Sequence, residues 1–143
     1  MTDAVLGIGT KLEYETTIGA SPLAFTTVPE VLDIPALAFT REFVEATNQD
    51  SPGETREYIG GLIDAEEITI QANYLPNNAI QQAVYDQFRS KTARVWQVRE
   101  TTASPEIIWR GEAIVSSYSP NMPVGDKKVL EFNLRRTGNW VRI

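Results

Sequence analysis

Between Glu67 and Tyr74 apolar and polar residues alternate without a break. Ile68, Ile70, Ala72 and Tyr74 fall on one side; Glu67, Thr69, Gln71 and Asn73 fall on the other. Successive side chains of a strand point to opposite faces, so this period predicts a half-buried strand. Lys11 to Thr16 alternates in the same way, and so does Phe39 to Thr47, where Phe39, Arg41, Phe43 and Glu45 oppose Thr40, Glu42, Val44 and Ala46. Gly19 and Pro22 close the first of these strands. Pro29 and Pro35 hold the stretch from Phe25 to Phe39 to a short edge strand and loops, because proline removes a ladder donor. Apolar residues resume from Glu57 to Ile63 around Gly60-Gly61.

One segment changes period. Pro76-Asn77-Asn78 offers a capping side chain, and Ile80, Val84 and Phe88 then recur at helical spacing, flanked by Ala83 and Tyr85. Gln81, Gln82, Asp86, Gln87 and Arg89 take the other side, which predicts an amphipathic helix of about three turns lying on a sheet. Thr92 to Thr101 carries Val95, Trp96 and Val98 on both faces and reads as a central strand. Ile107 to Tyr118 and Lys128 to Thr137 read as two further strands. The first puts Ile107, Trp109, Gly111, Ala113 and Val115 on one face; the second puts Leu130, Phe132 and Leu134 on one face and closes with Thr137-Gly138. A proline-bracketed loop, Ser119 to Asp126, joins them, and Trp140 to Ile143 forms a short tail. About six to eight strands and one helix predict a mainly β fold: two packed antiparallel sheets, as a sandwich or partly closed barrel, with one flanking α-helix.

A chain of 143 residues makes one domain with one core, expected to span 1–143. Two segments are expected to project from it. Met1 to Thr10 has no clear period and reads as a flexible arm; Asn48 to Arg56 is the most polar, turn-rich stretch of the chain. No apolar run approaches the roughly 18 to 20 residues that cross a bilayer, and Met1-Thr2-Asp3 lacks the start of an export signal, so synthesis in the cytoplasm is expected.

The absence of Cys and His removes thiol nucleophiles, disulfides, the commonest general base and the commonest metal ligand. Carboxylate, Lys, Tyr or Ser/Lys chemistry is all that remains, so no enzyme and no cofactor is expected. Glu66 and Glu67, as strand neighbours, point apart, and Asp50 with Glu54 lacks the spacing of a calcium loop. The aromatic residues read as core, with Trp140 as the exception in its Arg-flanked tail.

Charge adds an asymmetry. The net charge is -6, without the basic excess of a protein that grips phosphates. Between Arg41 and Glu67 eight acids face two bases; from Asp126 onward Lys127, Lys128, Arg135, Arg136 and Arg142 face Asp126 and Glu131. A head-to-tail contact needs two different, complementary surfaces on one subunit, and this division would supply them. Pairing within one subunit, or simple solvation, is the more ordinary use of such charges.

The block Ser116-Ser117-Tyr118-Ser119-Pro120, the Pro/Asp turn, the alternating strand and the final Thr137-Gly138 resemble the end of phage tail tube proteins of the lambda-like major tail family. Gly9-Thr10-Lys11-Leu12 opening a strand, a long polar hairpin, one helix and three closing strands follow that family's order of elements. The resemblance implies a structural virion protein whose hexameric rings stack into the tube that conducts DNA during ejection. It implies location in the virion tail, contacts with tape-measure, tail-tip and terminator proteins, and DNA passing through the lumen without specific binding; the net negative charge adds the expectation that the lumen is predominantly acidic. By the same resemblance residues 48–61 protrude to contact the adjacent ring, and Met1 to Thr10 orders on assembly. The extra C-terminal domain of lambda's own subunit is not expected here. Candidate inter-subunit residues are therefore Asp50, Ser51, Pro52, Gly53, Glu54, Arg56 and Tyr58 on one side, and Lys127, Lys128, Arg135 and Arg136 on the other. The alternative is a small β-sandwich module that binds a carbohydrate or protein through Trp140, Tyr118 and the Pro120–Pro123 loop.

Overall fold

A computed structural model of the chain describes residues 8–143, so most of the expected N-terminal arm lies outside the described residues. Nine strands and one helix follow in order: β1 (Lys11–Glu15), β2 (Phe25–Thr27), β3 (Val31–Asp33), β4 (Phe39–Glu45), β5 (Tyr58–Ala65), β6 (Ile68–Asn73), α1 (Ala79–Ser90), β7 (Arg94–Glu100), β8 (Ile107–Asn121) and β9 (Val129–Arg142). Seven strands form one antiparallel sheet in the order β2-β1-β7-β8-β9-β6-β3, and β4 pairs with β5 in a second. The fold is thus mainly β with two antiparallel sheets and a single helix, as expected. The one edge strand expected between Phe25 and Phe39 is two, β2 and β3, at opposite edges of the large sheet.

That sheet is curled. Laid flat, the four strand spacings from β1 to β6 would span about 19 Å. Yet the Val28 N–H donates to the Leu12 carbonyl on β1, and the Glu30 carbonyl accepts from Asn73 N–H on β6. Two residues of chain reach at most about 7 Å beyond those two hydrogen bonds. The sheet must therefore bend until its ends face each other, though β2 and β3 do not pair and no barrel closes. Leu12, Trp96, Val98, Leu130, Phe132, Leu134, Ile68 and Ile70 fill the concave side. Helix α1 covers it, with Val84 fully buried and Ile80, Ala83 and Phe88 packed alongside. Asn78 caps it, its side-chain oxygen accepting from Ile80 and Gln81 N–H. Gln81, expected on the wet side, is buried: its amide donates to the Asn73 carbonyl at 2.8 Å and its oxygen accepts from Leu75 N–H at 2.9 Å.

The C-terminal strands run further than their sequence suggests. β8 continues through Ser119-Pro120-Asn121, so the loop begins at Met122. β9 passes through Thr137-Gly138 to Arg142, and Val141 and Arg142 pair with Arg110 and Trp109. Gly138 holds a φ of 71°, and β9 takes four steps, from Thr137 to Val141, where β8 takes two, from Glu112 to Arg110. Thr137-Gly138 is a bulge, not a stop. The bulge turns Trp140 inward, where it is 7% exposed and its indole N–H donates to the Glu112 carbonyl at 2.8 Å. The ring lies on Gly111, where any Cβ would overlap it. Gly111→Ala should therefore lower stability by about 1–3 kcal/mol, the usual cost of overpacking. Gly125→Ala, with open space around it, should melt like the parent. Equal thermal melts for the two variants would contradict this packing.

Candidate assembly interface

The second sheet is a hairpin that stands away from the core. Every residue of β4 is exposed, and so is every residue of β5 except Gly61, which is half-buried, and Ala65, buried at its root. Cross-strand partners share a face. Phe43 pairs with Gly60, Glu45 with Tyr58 and Arg41 with Ile63, so Phe43, Tyr58 and Ile63 lie on one face. Phe43 and Tyr58 meet edge to face, with ring centroids 6.4 Å apart. Val44 pairs with Ile59, placing both on the other face. Leu62, beside the register shift, is 79% exposed. A two-stranded hairpin is marginal by itself in water, and this one carries large apolar side chains on both faces.

Beyond β4 and β5 the loop is bonded to itself. Asn48 N–H donates to Ser51 Oγ at 3.0 Å, Asp50 N–H to Asn48 Oδ1 at 2.8 Å, and Ser51 Oγ–H to Glu57 Oε2 at 3.0 Å. Glu57 N–H donates to Thr47 Oγ1 at 2.8 Å, and a one-turn 3-10 segment spans Pro52–Glu54. These bonds leave Asp50, Pro52, Gly53, Glu54, Arg56 and Tyr58 facing solvent, with Ser51 half-buried among them.

At the root, Arg136 fixes the hairpin to the body. It is 2% exposed, donating from Nε to the Glu66 carbonyl at 2.6 Å and from Nη2 to the Ala38 carbonyl. Those carbonyls bracket the hairpin, one just before β4 and one just after β5. The guanidinium lies between the rings of Phe39 and Trp140, 4.8 and 5.2 Å from their centroids. Burial lowers its pKa below the usual guanidinium value, with the Glu66 and Asp64 carboxylates opposing that shift. Arg136→Lys, which loses the planar fork, should cost roughly 1.5–3 kcal/mol, the worth of a hydrogen bond to a charged group. Amide exchange should also quicken at the hairpin root. Unchanged stability and exchange would contradict the latch.

The candidate residues sort by place. Asp50, Ser51, Pro52, Gly53, Glu54, Arg56 and Tyr58 share the projecting hairpin and its loop. Lys127 and Lys128 are exposed at the far end of the body. β6 pairs Ile68 with Leu134 and Asn73 with Val129, and the hairpin leaves β6 at the Ile68 end. Five residues, about 17 Å of strand, separate that exit from the lysine end. Arg135 sits near the hairpin root, exposed and 3.9 Å from Asp64 of the same subunit. Arg136 does not present a surface at all. Of these four cations, Lys127 and Lys128 are therefore the exposed pair on the side away from the acidic loop.

The chain matches no protein-family model and no curated protein at the level of sequence. Its architecture matches solved structures over nearly its full length. A tail chain of an empty gene transfer agent particle, with C6 symmetry, superposes with a TM-score of 0.80 at 17% identity, covering 98% of this chain and 99% of that one. The SPP1 tail tube gives 0.73 at 13% identity, covering 97% and 78%. The sheath–tube complex of an extracellular contractile injection system gives 0.67 at 12%, covering 94% and 87%. The chain has the tail tube fold.

Within the tail tube fold, the residues that sequence reasoning missed are those turned toward the hairpin. Arg136 continues the inward series Leu130, Phe132, Leu134 by two, and that spacing was the available signal. Trp140, expected in a free tail, is core, which withdraws the ring on which the carbohydrate- or protein-binding alternative chiefly relied.

Proposed function

We propose that this chain is a self-assembling structural subunit, forming rings of six that stack into the tube of a phage-like tail. One observation carries the reading: a projecting hairpin with apolar side chains on both faces. Fully burying a side chain of the size of Phe43, Val44, Ile59 or Ile63 gains about 1.5–3 kcal/mol. A hairpin apolar on both faces suits insertion between neighbouring bodies. The partner that fits best is another copy of this chain, because the tail tube fold recurs in repeated assemblies. The acidic loop and the lysine pair, placed toward opposite ends, favour a heterologous contact, which propagates instead of closing as a dimer. In this reading the partners are further copies and the tape-measure, tail-tip and terminator components of a tail. DNA passes through the lumen without being held, past a predominantly acidic wall.

Sedimentation over rising concentration tests it. A small species should give way above a threshold to fast-sedimenting assemblies. A chain that stays monomeric at every concentration, even with tail-initiating components present, would overturn the reading.

A further inference from the structure

At the lysine end, between α1 and β8, lies a recess lined by Tyr74, Pro76, Gln82, Tyr85, Tyr118 and Pro120. Tyr85 and Tyr118 pack against each other, 5.2 Å apart centroid to centroid at a tilt of 58°, and form an aromatic wall of the recess. Tyr85 is 41% exposed although large and on the covering helix. Tyr74 lines the recess beside both rings, and burial raises the Tyr118 hydroxyl pKa above its ordinary value, with Tyr74 and Tyr85 pushing it the same way. Lys128 borders the recess directly: its carbonyl accepts from Tyr74 N–H at 3.0 Å. Lys127 and Lys128 are both exposed at this end, and the lining is aromatic and proline-rich.

We propose that this recess receives the Pro52 crest of the loop 48–56 from a second copy of the chain, with Asp50 and Glu54 set against Lys127 and Lys128. The inference rests on the tube reading and names the surface its loop would meet. Three properties fit the two parts together. Aromatic-lined grooves take proline rings well, since a ring of fixed φ is flat, apolar and already ordered. Ser51, before Pro52, is extended at φ −62° and ψ 124°, and Gly53 and Glu54 both hold positive φ, so Pro52 stands on the crest of a sharp turn. The loop's internal hydrogen bonds hold that crest before contact, which limits the entropy lost on docking. Its acids match the lysines in sign. Loop and recess lie toward opposite ends of the subunit, so each copy can donate at one end and accept at the other.

The chain contains no cysteine, so a pair can be placed without interference. The test uses the full chain carrying Glu54→Cys and Gln82→Cys, assembled and treated with a short bismaleimide. Denaturing gels should show a ladder of covalent multiples. Glu54→Cys with Thr69→Cys, on the solvent side of β6, should give none. Pro52→Ala, at an exposed loop position, and Tyr85→Ala should each raise the threshold concentration for assembly at least tenfold while the monomer stays folded. Tubes that form without the Glu54–Gln82 cross-link, or a Pro52→Ala threshold equal to the parent's, overturn the docking and leave the tube reading standing. A chain that forms no tubes under any condition overturns both.

Discussion

Phe43→Glu and Val44→Glu should each abolish assembly and leave the isolated subunit as stable as the parent. The two residues are strand neighbours, so they face opposite sides of the β4–β5 hairpin, and both are more than half exposed. A surface substitution of this kind changes stability by about 0.5 kcal/mol or less. Seating a carboxylate in an apolar contact without a partner costs several kcal/mol instead, and each 1.4 kcal/mol is tenfold in association. A rise of at least a hundredfold in the concentration needed for assembly is therefore expected from either variant. Sedimentation with a parallel thermal melt reads both halves of the prediction. If Phe43→Glu blocks assembly and Val44→Glu does not, only one face of the hairpin is covered. If neither does, the hairpin is not the contact.

Removing Asp50 to Arg56 should have an equally large effect by another route. The Ala46 N–H donates to the Glu57 carbonyl at 2.8 Å, so the ends of the excised piece are already held together. Thr47, Asn48 and Gln49 remain as a short hairpin connection, and the side-chain hydrogen bonds of the loop are made within residues 46–57, so the body loses no support. The shortened chain should fold, melt within a few degrees of the parent, and fail to stack into tubes. Normal tubes from this deletion would remove the loop from the interface.

How much of this was readable in the chain depends on what each residue packs against. Ile68 to Tyr74 and Ile80 to Phe88 were legible because their apolar sides meet the core of the same subunit, and period then reports burial directly. Asn78 as a cap was legible because one side chain meets two adjacent N–H groups. Gln81 was not: it shares the buried stripe one turn before Val84, but its burial depends on the orphan backbone groups of Asn73 and Leu75, which the helical period does not display. Thr137-Gly138 misled because glycine with positive φ serves both chain stops and bulges, and only pairing with Arg110 and Trp109 decides between them. Trp140 followed from that error. Arg136 hid in a dipeptide with Arg135, although strand alternation sends one inward and one outward. The charge asymmetry was real in sequence, but two of the three arginines at its basic end, Arg135 and Arg136, are spent inside the subunit, on Asp64 and on the hairpin root. The apolar hairpin was the hardest to read. Phe43, Val44, Tyr58 and Ile59 look like core to any periodic reading, and only the fold reveals that their own subunit leaves them uncovered.

Electron microscopy of the concentrated protein, with tail-initiating components added, tests the central claim most directly. The account predicts sixfold rings and stacked tubes of uniform bore. Dispersed single subunits under all those conditions would contradict it.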